Sequence, residues 1–288
     1  MKGMKPANSL TWKYLLSDID FDEREKRAVS DVLDSKWLSM GSKTREFEER
    51  FSHYAGTPFA LATTNCTTAL HLALISLEIG KGDEVIVPSL TFVASSNAIL
   101  YTGARPVFAD LSSLKHPLMD PADIGRKITK RTKAILVMHY AGYPCEMKKI
   151  ISLARKKGLY VIEDAAHAVG SYYADKMCGT LGDVGCYSFF ANKNISAGEG
   201  GMLVTRHKKI YERVSKLRSH GMTSLTWDRA RGHAYSYDVV DLGYNYRTTE
   251  ISSALGIVQL GKLRKNNLRR DKIFAGYVKR LSACRNLL

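Results

Sequence analysis

The sequence predicts a three-layer α/β/α domain on a mostly parallel β-sheet, and three observations carry that prediction. Short runs apolar on both faces recur at about 59–63, 84–88, 106–109, 134–138 and 159–163. Helix-length stretches separate them at about 67–78, 92–101, 122–129 and 146–157. The apolar runs, such as AILVM and EVIVP, are far shorter than the ~20 residues that a bilayer-crossing helix needs. Strands apolar on both faces must be covered on both faces, and crossovers of helix length join parallel neighbours.

In chain order, residues 1–20 read as a leader. MKGMKPANSLTWKY contains no apolar stretch of the length a secretory signal requires. Residues 22–35 and 43–54 follow as amphipathic helices. The second sets Phe47, Phe51 and Tyr54 at i, i+4 and i+7 and stops at Gly56, a suitable residue to end a helix. The strand–helix alternation then runs to about residue 163. Around 184–205 two strand-like runs, VGCYSFF and GMLVT, flank a Gly-rich turn, and helices at about 207–219 and 248–283 close the chain. With 288 residues and no internal repeat, the expected division is a large domain over 21–260 and the start of a smaller, truncated one over 261–288.

Composition narrows the function classes. Apolar residues make up 45% and charged residues 25%, a balance that suits a folded chain and not a disordered one. Five cysteines, an odd number with no CxxC, argue against a disulfide framework or a zinc site and for a reducing, cytoplasmic setting. Lys and Arg total 43 against 28 acids, a formal charge of +15, and nine of those bases fall in 262–288 beside a single acid, Asp271. Without any RNA- or DNA-reading motif, this excess reads as solvated helix faces, not as a nucleic-acid surface. No membrane partner is expected.

In open α/β sheets ligands sit beyond the carboxyl ends of the strands, so polar residues just after each strand are the ones to weigh. Thr64-Asn65-Cys66-Thr67-Thr68 opens the helix ALHLALISL, where free N–H groups, hydroxyls and the helix dipole suit a phosphate. Taken alone, that segment is better explained as a plain N-cap without a ligand. In LYVIEDAAH a buried strand ends in Glu163-Asp164, with His167 three residues on. A buried carboxylate needs a partner, which could be a ring nitrogen, a metal or a substrate cation, although a capped strand end with a core histidine is the plainer account. Lys193 lies between an aromatic strand and the Gly-rich turn of YSFFANKNISAGEGG. A loop lysine is usually a surface charge, but one with a lowered pKa can bond an aldehyde. Taken together, the three segments match what pyridoxal 5′-phosphate (PLP) requires: a lysine for its aldehyde, an acid for its ring nitrogen and a cradle for its phosphate. Ser188 would join the cradle, and Phe92 could stack on the ring.

In this order the segments NCTTALHLAL, VIVPSLTFVAS, VIEDAAHAVGSYY, SFFANKN…GEGG and LGYNYRTTEISSALGIVQL resemble the DegT/DnrJ/StrS family of PLP-dependent nucleotide-sugar aminotransferases over about residues 20–270. The resemblance implies a fold type I aminotransferase, aspartate aminotransferase-like, forming a homodimer with PLP near the subunit interface. It implies amino transfer, with L-glutamate as the expected donor, to a keto group of a nucleotide-linked sugar. Lys193 matches the lysine that bonds PLP and Asp164 the partner of the ring nitrogen. His167 falls beside the cofactor's 3-hydroxyl, Thr67, Thr68 and Ser188 on phosphate-binding positions, and Phe92 on the stacking position. Asn245 matches a residue reaching the phosphate from the neighbouring subunit. Lysine at 193 separates the chain from the family's sugar dehydratases, which carry histidine there. Two departures stand out: Cys66 occupies a position usually held by glycine, and the chain ends where the family continues into a small C-terminal domain. A weakly active or inactive member with a regulatory role is the alternative reading.

Overall fold

The computed structural model describes residues 17–284. Most of the expected leader lies outside the described residues.

Helix α1 (Glu23–Asp34) is started by Asp22, whose side chain accepts the Arg24 N–H while Glu25 reaches back to the Asp22 N–H. Helix α2 (Ser42–Ala55) ends on Gly56 at φ 69°, a left-handed conformation that side chains disfavour. The alternating region follows as β1 (Phe59–Thr63), α3 (Cys66–Ser76), β2 (Glu84–Pro88), α4 (Val93–Tyr101), β3 (Arg105–Ala109), α5 (Pro121–Lys127), β4 (Thr132–Met138), α6 (Met147–Lys157) and β5 (Tyr160–Asp164). A two-residue hairpin, β6 (Tyr172–Tyr173) with β7 (Lys176–Met177), precedes β8 (Val184–Ser188) and β9 (Gly201–Thr205). Helices α7 (Lys208–Leu217), α8 (Thr226–Ala230) and α9 (Glu250–Leu281) complete the chain.

Seven strands form one sheet in the order β1-β9-β8-β5-β4-β2-β3. The pairs β2–β3, β2–β4, β4–β5 and β5–β8 are parallel, whereas β9 runs antiparallel to both β1 and β8. The reason is the connection. No helix crosses between β8 and β9, so the chain simply doubles back. Thr63, Gly201 and Ser188 therefore stand in register at one rim of the sheet, with Asp164 ending β5 at the same rim.

One face is covered by α3, α4 and α7, where Leu70, Leu72, Leu74, Val87, Leu136 and Val214 are fully buried. On the other, Phe47, Phe51, Tyr187, Phe189 and Leu263 pack under α2 and α9, while Ile135, Val137 and Ile150 pack under α5 and α6. Each fully buried leucine or isoleucine contributes about 1.5–3 kcal/mol, and α3 is so completely enclosed that it lacks a polar face. This is the expected three-layer α/β/α arrangement.

Some details differ from the sequence expectation. Strand β5 extends through Asp164, and Phe189 and Phe190 lie beyond β8. The β6–β7 hairpin and α8 are too short for periodicity to reveal. The expected boundary at 260/261 falls inside α9, which runs unbroken from Glu250 to Leu281.

Candidate active site

Four segments converge on the rim: the start of α3, the start of α4, the end of β5 with the turn after it, and the loop joining β8 to β9.

Asp164 is 2% exposed and held by two donors. The Ser95 hydroxyl donates to its Oδ2 at 2.7 Å, and the Ala166 N–H donates to Oδ1 at 3.1 Å. Ser95 belongs to the first turn of α4, where its N–H donates to the carbonyl of Phe92, the N-cap. A single helical turn thus links Phe92, whose side chain is exposed, to the serine that holds the buried carboxylate. Two fixed donors and burial hold Asp164 as an oriented acceptor facing the rim.

The loop bearing Lys193 is pinned by its backbone. The Lys193 N–H donates to Phe190, and the Ala197 N–H donates to Phe189. Burial pushes the Lys193 ammonium below its ordinary pKa, with Asp164 and Cys66 pulling the other way. No hydrogen bond or ion pair engages Lys193 Nζ among the described residues. Burial likewise lowers His167, reinforced by Lys193 and opposed by Asp164. The Ala141 N–H donates to His167 Nδ1 at 3.3 Å, so the neutral ring carries its proton on Nε2. These mutual influences place Lys193, Asp164, His167 and Cys66 in one neighbourhood. A pocket of about 300 Å³ opens there, lined by Ala141, Ala166, His167, Asn192, Lys193 and Asn194.

At the start of α3, Asn65 is the N-cap. Its side chain accepts the Thr68 N–H at 2.9 Å, and the Thr68 hydroxyl donates to the Asn65 carbonyl. The N–H groups of Cys66 and Thr67, first in the helix, have no intrahelical acceptor. Gly201 lies against this turn so closely that a Cβ there would meet the Asn65 carbonyl carbon at 2.4 Å. That contact requires glycine. Cys66 itself is accommodated: its thiol is buried, and burial raises its pKa well above the ordinary value, keeping it protonated. Ser188, 7% exposed, ends β8 one strand away.

Eight of the nine candidate residues gather at this rim. Asn245 does not. It lies in an extended segment whose flanking rings, Tyr244 and Tyr246, stack at 5.0 Å and pack against His71 of α3. Alternation along an extended chain turns Asn245 to the opposite, exposed side.

One contributor escaped the sequence reading, and one carboxylate noted there plays another part. Ser95, which orients Asp164, carried only the weak signal of a hydroxyl one turn into a helix. Glu163 has a different role from Asp164: fully buried, it accepts the N–H groups of Gly179, Leu181 and Gly182 and the Nε2 proton of His139. It braces the approach to β8 rather than facing the pocket. A roomier cavity of about 780 Å³ lies beyond the β1 edge, near Glu48, Arg218 and Trp227, and contains none of the candidate residues.

The donor set fits PLP. It comprises an amine with lowered pKa, a buried and oriented carboxylate, and unpaired N–H groups at a helix start against which glycine alone fits. No helix among the described residues is long and apolar enough to cross a membrane.

Comparison with known proteins finds related sequences and structures. The model of the DegT/DnrJ/EryC1/StrS aminotransferase family matches residues 19–288. The chain is 44% identical over 261 residues to GDP-perosamine synthase of Escherichia coli O157:H7, covering 90% of this chain and 69% of that protein. It is 40% identical over 256 residues to the spore coat polysaccharide biosynthesis protein SpsC of Bacillus subtilis, covering 88% and 66%. A Streptococcus pneumoniae protein solved in its PLP-form superposes with a TM-score of 0.88 at 31% identity, over 95% of this chain and 73% of that one. The chain spans about two thirds of the length of the curated relatives it matches.

Proposed function

Since the chain belongs to the DegT/DnrJ/EryC1/StrS aminotransferase family, we propose that it is a PLP-dependent aminotransferase that moves an amino group from an amino acid, L-glutamate first among candidates, to a keto group of a nucleotide-linked sugar for glycan or polysaccharide synthesis. The observation that carries the reading is a pocket lysine whose pKa burial lowers, near enough to the buried Asp164 carboxylate to feel its charge.

When bound, PLP supplies an aldehyde for an amine and a ring that takes up the electron pair of a breaking C–H bond. The chain's own residues do the rest. Lys193 Nζ would hold the aldehyde and would carry a proton at the substrate carbon. The Asp164 carboxylate, fixed by Ser95 and Ala166, keeps the ring nitrogen protonated. The N–H groups of Cys66 and Thr67, with the hydroxyls of Thr67, Thr68 and Ser188, hold the phosphate. His167 would stand near the ring's hydroxyl, and Phe92 would cover one ring face. Residues 21–260 form the cofactor-binding unit in this reading.

The enzyme works as a homodimer in the cytoplasm, with Asn245 completing the phosphate seat of its neighbour. The exposed side chains of Phe92, Val93, Leu100 and Tyr101 at α4 and of Val239, Val240 and Leu242 near Asn245 support a second copy as the partner. GDP-perosamine synthase and SpsC, by their names, support a nucleotide-sugar substrate and a polysaccharide destination.

The test is optical. Purified protein with PLP should absorb in the violet, and borohydride should bleach that band and fix the cofactor to Lys193. Lys193→Ala should fail on both counts. Cofactor fixed at another lysine would overturn the reading.

A further inference from the structure

Arg218, in the LRSHGM segment, lies outside the Lys193 pocket and was given no role, yet it is 3% exposed. Its Nη1 donates to the Ala62 carbonyl at 2.6 Å and to Glu48 Oε1, and that same carboxylate oxygen accepts the Ala62 N–H at 2.8 Å. Ala62 is on β1, the edge strand, and it turns both its backbone groups outward. Glu48 and Arg218 together therefore stand in for the missing neighbouring strand at that residue.

The backbone of Arg218 makes a second link. Residues 217–220 run antiparallel to 244–246: the Tyr244 N–H donates to Leu217, the Tyr246 N–H donates to Arg218, and the His220 N–H donates to Tyr244. The Tyr246 carbonyl then accepts the Thr64 N–H at 3.1 Å. Thr64 opens the turn whose N–H groups make the phosphate seat. One residue thus grips the seat from both sides, through its side chain at Ala62 and through Tyr246 at Thr64. The same ribbon carries Asn245. Helix α2 supplies Glu48, and α7 ends at Leu217 beside Arg218.

We propose that Arg218, with Glu48, is a positioning residue for the phosphate seat: it sets the turn 64–68 and the Asn245 ribbon at the separation a phosphate needs. The inference rests on the PLP reading above. Its consequence is specific to the phosphate and leaves the lysine–aldehyde bond alone.

The experiment compares PLP with pyridoxal, which keeps the aldehyde and lacks the phosphate. Kd values for both are read from the violet absorbance of the wild type, Arg218→Lys, Arg218→Met and the paired Glu48→Gln/Arg218→Met variant, which removes the pair without stranding a charge. In the wild type the phosphate should confer a large preference for PLP. In Arg218→Met and the paired variant that preference should shrink by about tenfold or more, the scale of one or two misplaced hydrogen bonds to a charged group. Pyridoxal affinity should stay within about twofold. Arg218→Lys, which keeps a donor but not the fork, should fall between and is the deciding variant if the methionine forms do not fold. Parallel weakening of both ligands with an unchanged preference would mean that Arg218 is merely structural and would overturn this inference alone. A wild type that gains nothing from the phosphate would overturn the seat, and this inference with it.

Discussion

Lys193 and Asp164 make opposite demands on the same small space. Burial favours the neutral amine at 193, while the neighbouring carboxylate favours the ammonium. Burial wins, so the amine is free at lower pH than an ordinary lysine with a pKa of 10.5. The rate at which apoprotein bonds PLP should accordingly rise with pH and level off below that value, as stopped-flow absorbance would show. A plateau reached only at the ordinary lysine pKa would contradict the role given to burial. Asp164→Asn should still accept the cofactor but lose about 10²–10⁴-fold in amino transfer, because an amide cannot hold the ring nitrogen's proton. Ser95→Ala, which strips one of two donors from a buried carboxylate, should cost about 1–3 kcal/mol of apoprotein stability in urea unfolding. The sequence made Lys193 and Asp164 legible because each followed a strand. Ser95 was not legible, since its importance comes from a partner 69 residues away.

Among the elements, α9 shows how a helix can be found from sequence while its attachment cannot. Its approximate extent was readable from the sequence, despite three glycines within it. The attachment was not: Lys262 Nζ, on a side chain 3% exposed, reaches Glu25 Oε1 at 2.7 Å and Asp22 Oδ2 at 3.0 Å on α1 and its cap. Burial alone would raise Glu25, but Lys262, the Asp22 N–H and Gln259 overrule it and leave its pKa lowered. The stabilisation is therefore complete above the unfolded carboxylate value of 4.5 and is lost as pH falls through the lower folded value. Lys262→Met should destabilise the protein by about 3 kcal/mol, because it strands Glu25 without its cation. Urea midpoints near neutral pH should show the loss, and Glu25→Gln/Lys262→Met should recover part of it. Equal midpoints for Lys262→Met and wild type would remove the pair from the account. At the start of α2, Glu250 of α9 plays a comparable part by accepting the N–H groups of Gly41, Lys43 and Thr44.

For the whole molecule, the sidedness of Asn245 is the deciding feature. Its stacked tyrosine neighbours face inward, so it serves a site only if that site belongs to another copy. Lys193→Ala and Asn245→Ala subunits should each bind PLP poorly alone. Mixed and reassociated in equal amounts, they should regain about a quarter of the wild-type sites, since half the dimers pair one of each and each such dimer has one complete site. Recovery absent from a mixture shown to contain mixed dimers would place Asn245 outside the neighbour's site.

The sequence by itself determined the layers, the mostly parallel sheet and the chemical pieces of the pocket. Strand runs, helix starts and a lysine in a Gly-rich turn are local patterns that solvent and backbone sterics impose within a few residues. Only the tertiary structure decided that β9 runs against its neighbours, that Glu163 braces the fold while Asp164 is held by Ser95 and Ala166, and that Arg218 fastens the edge strand. Each of those outcomes depends on partners brought together by burying apolar surface across the whole chain, and a buried polar group takes whichever partner that packing delivers.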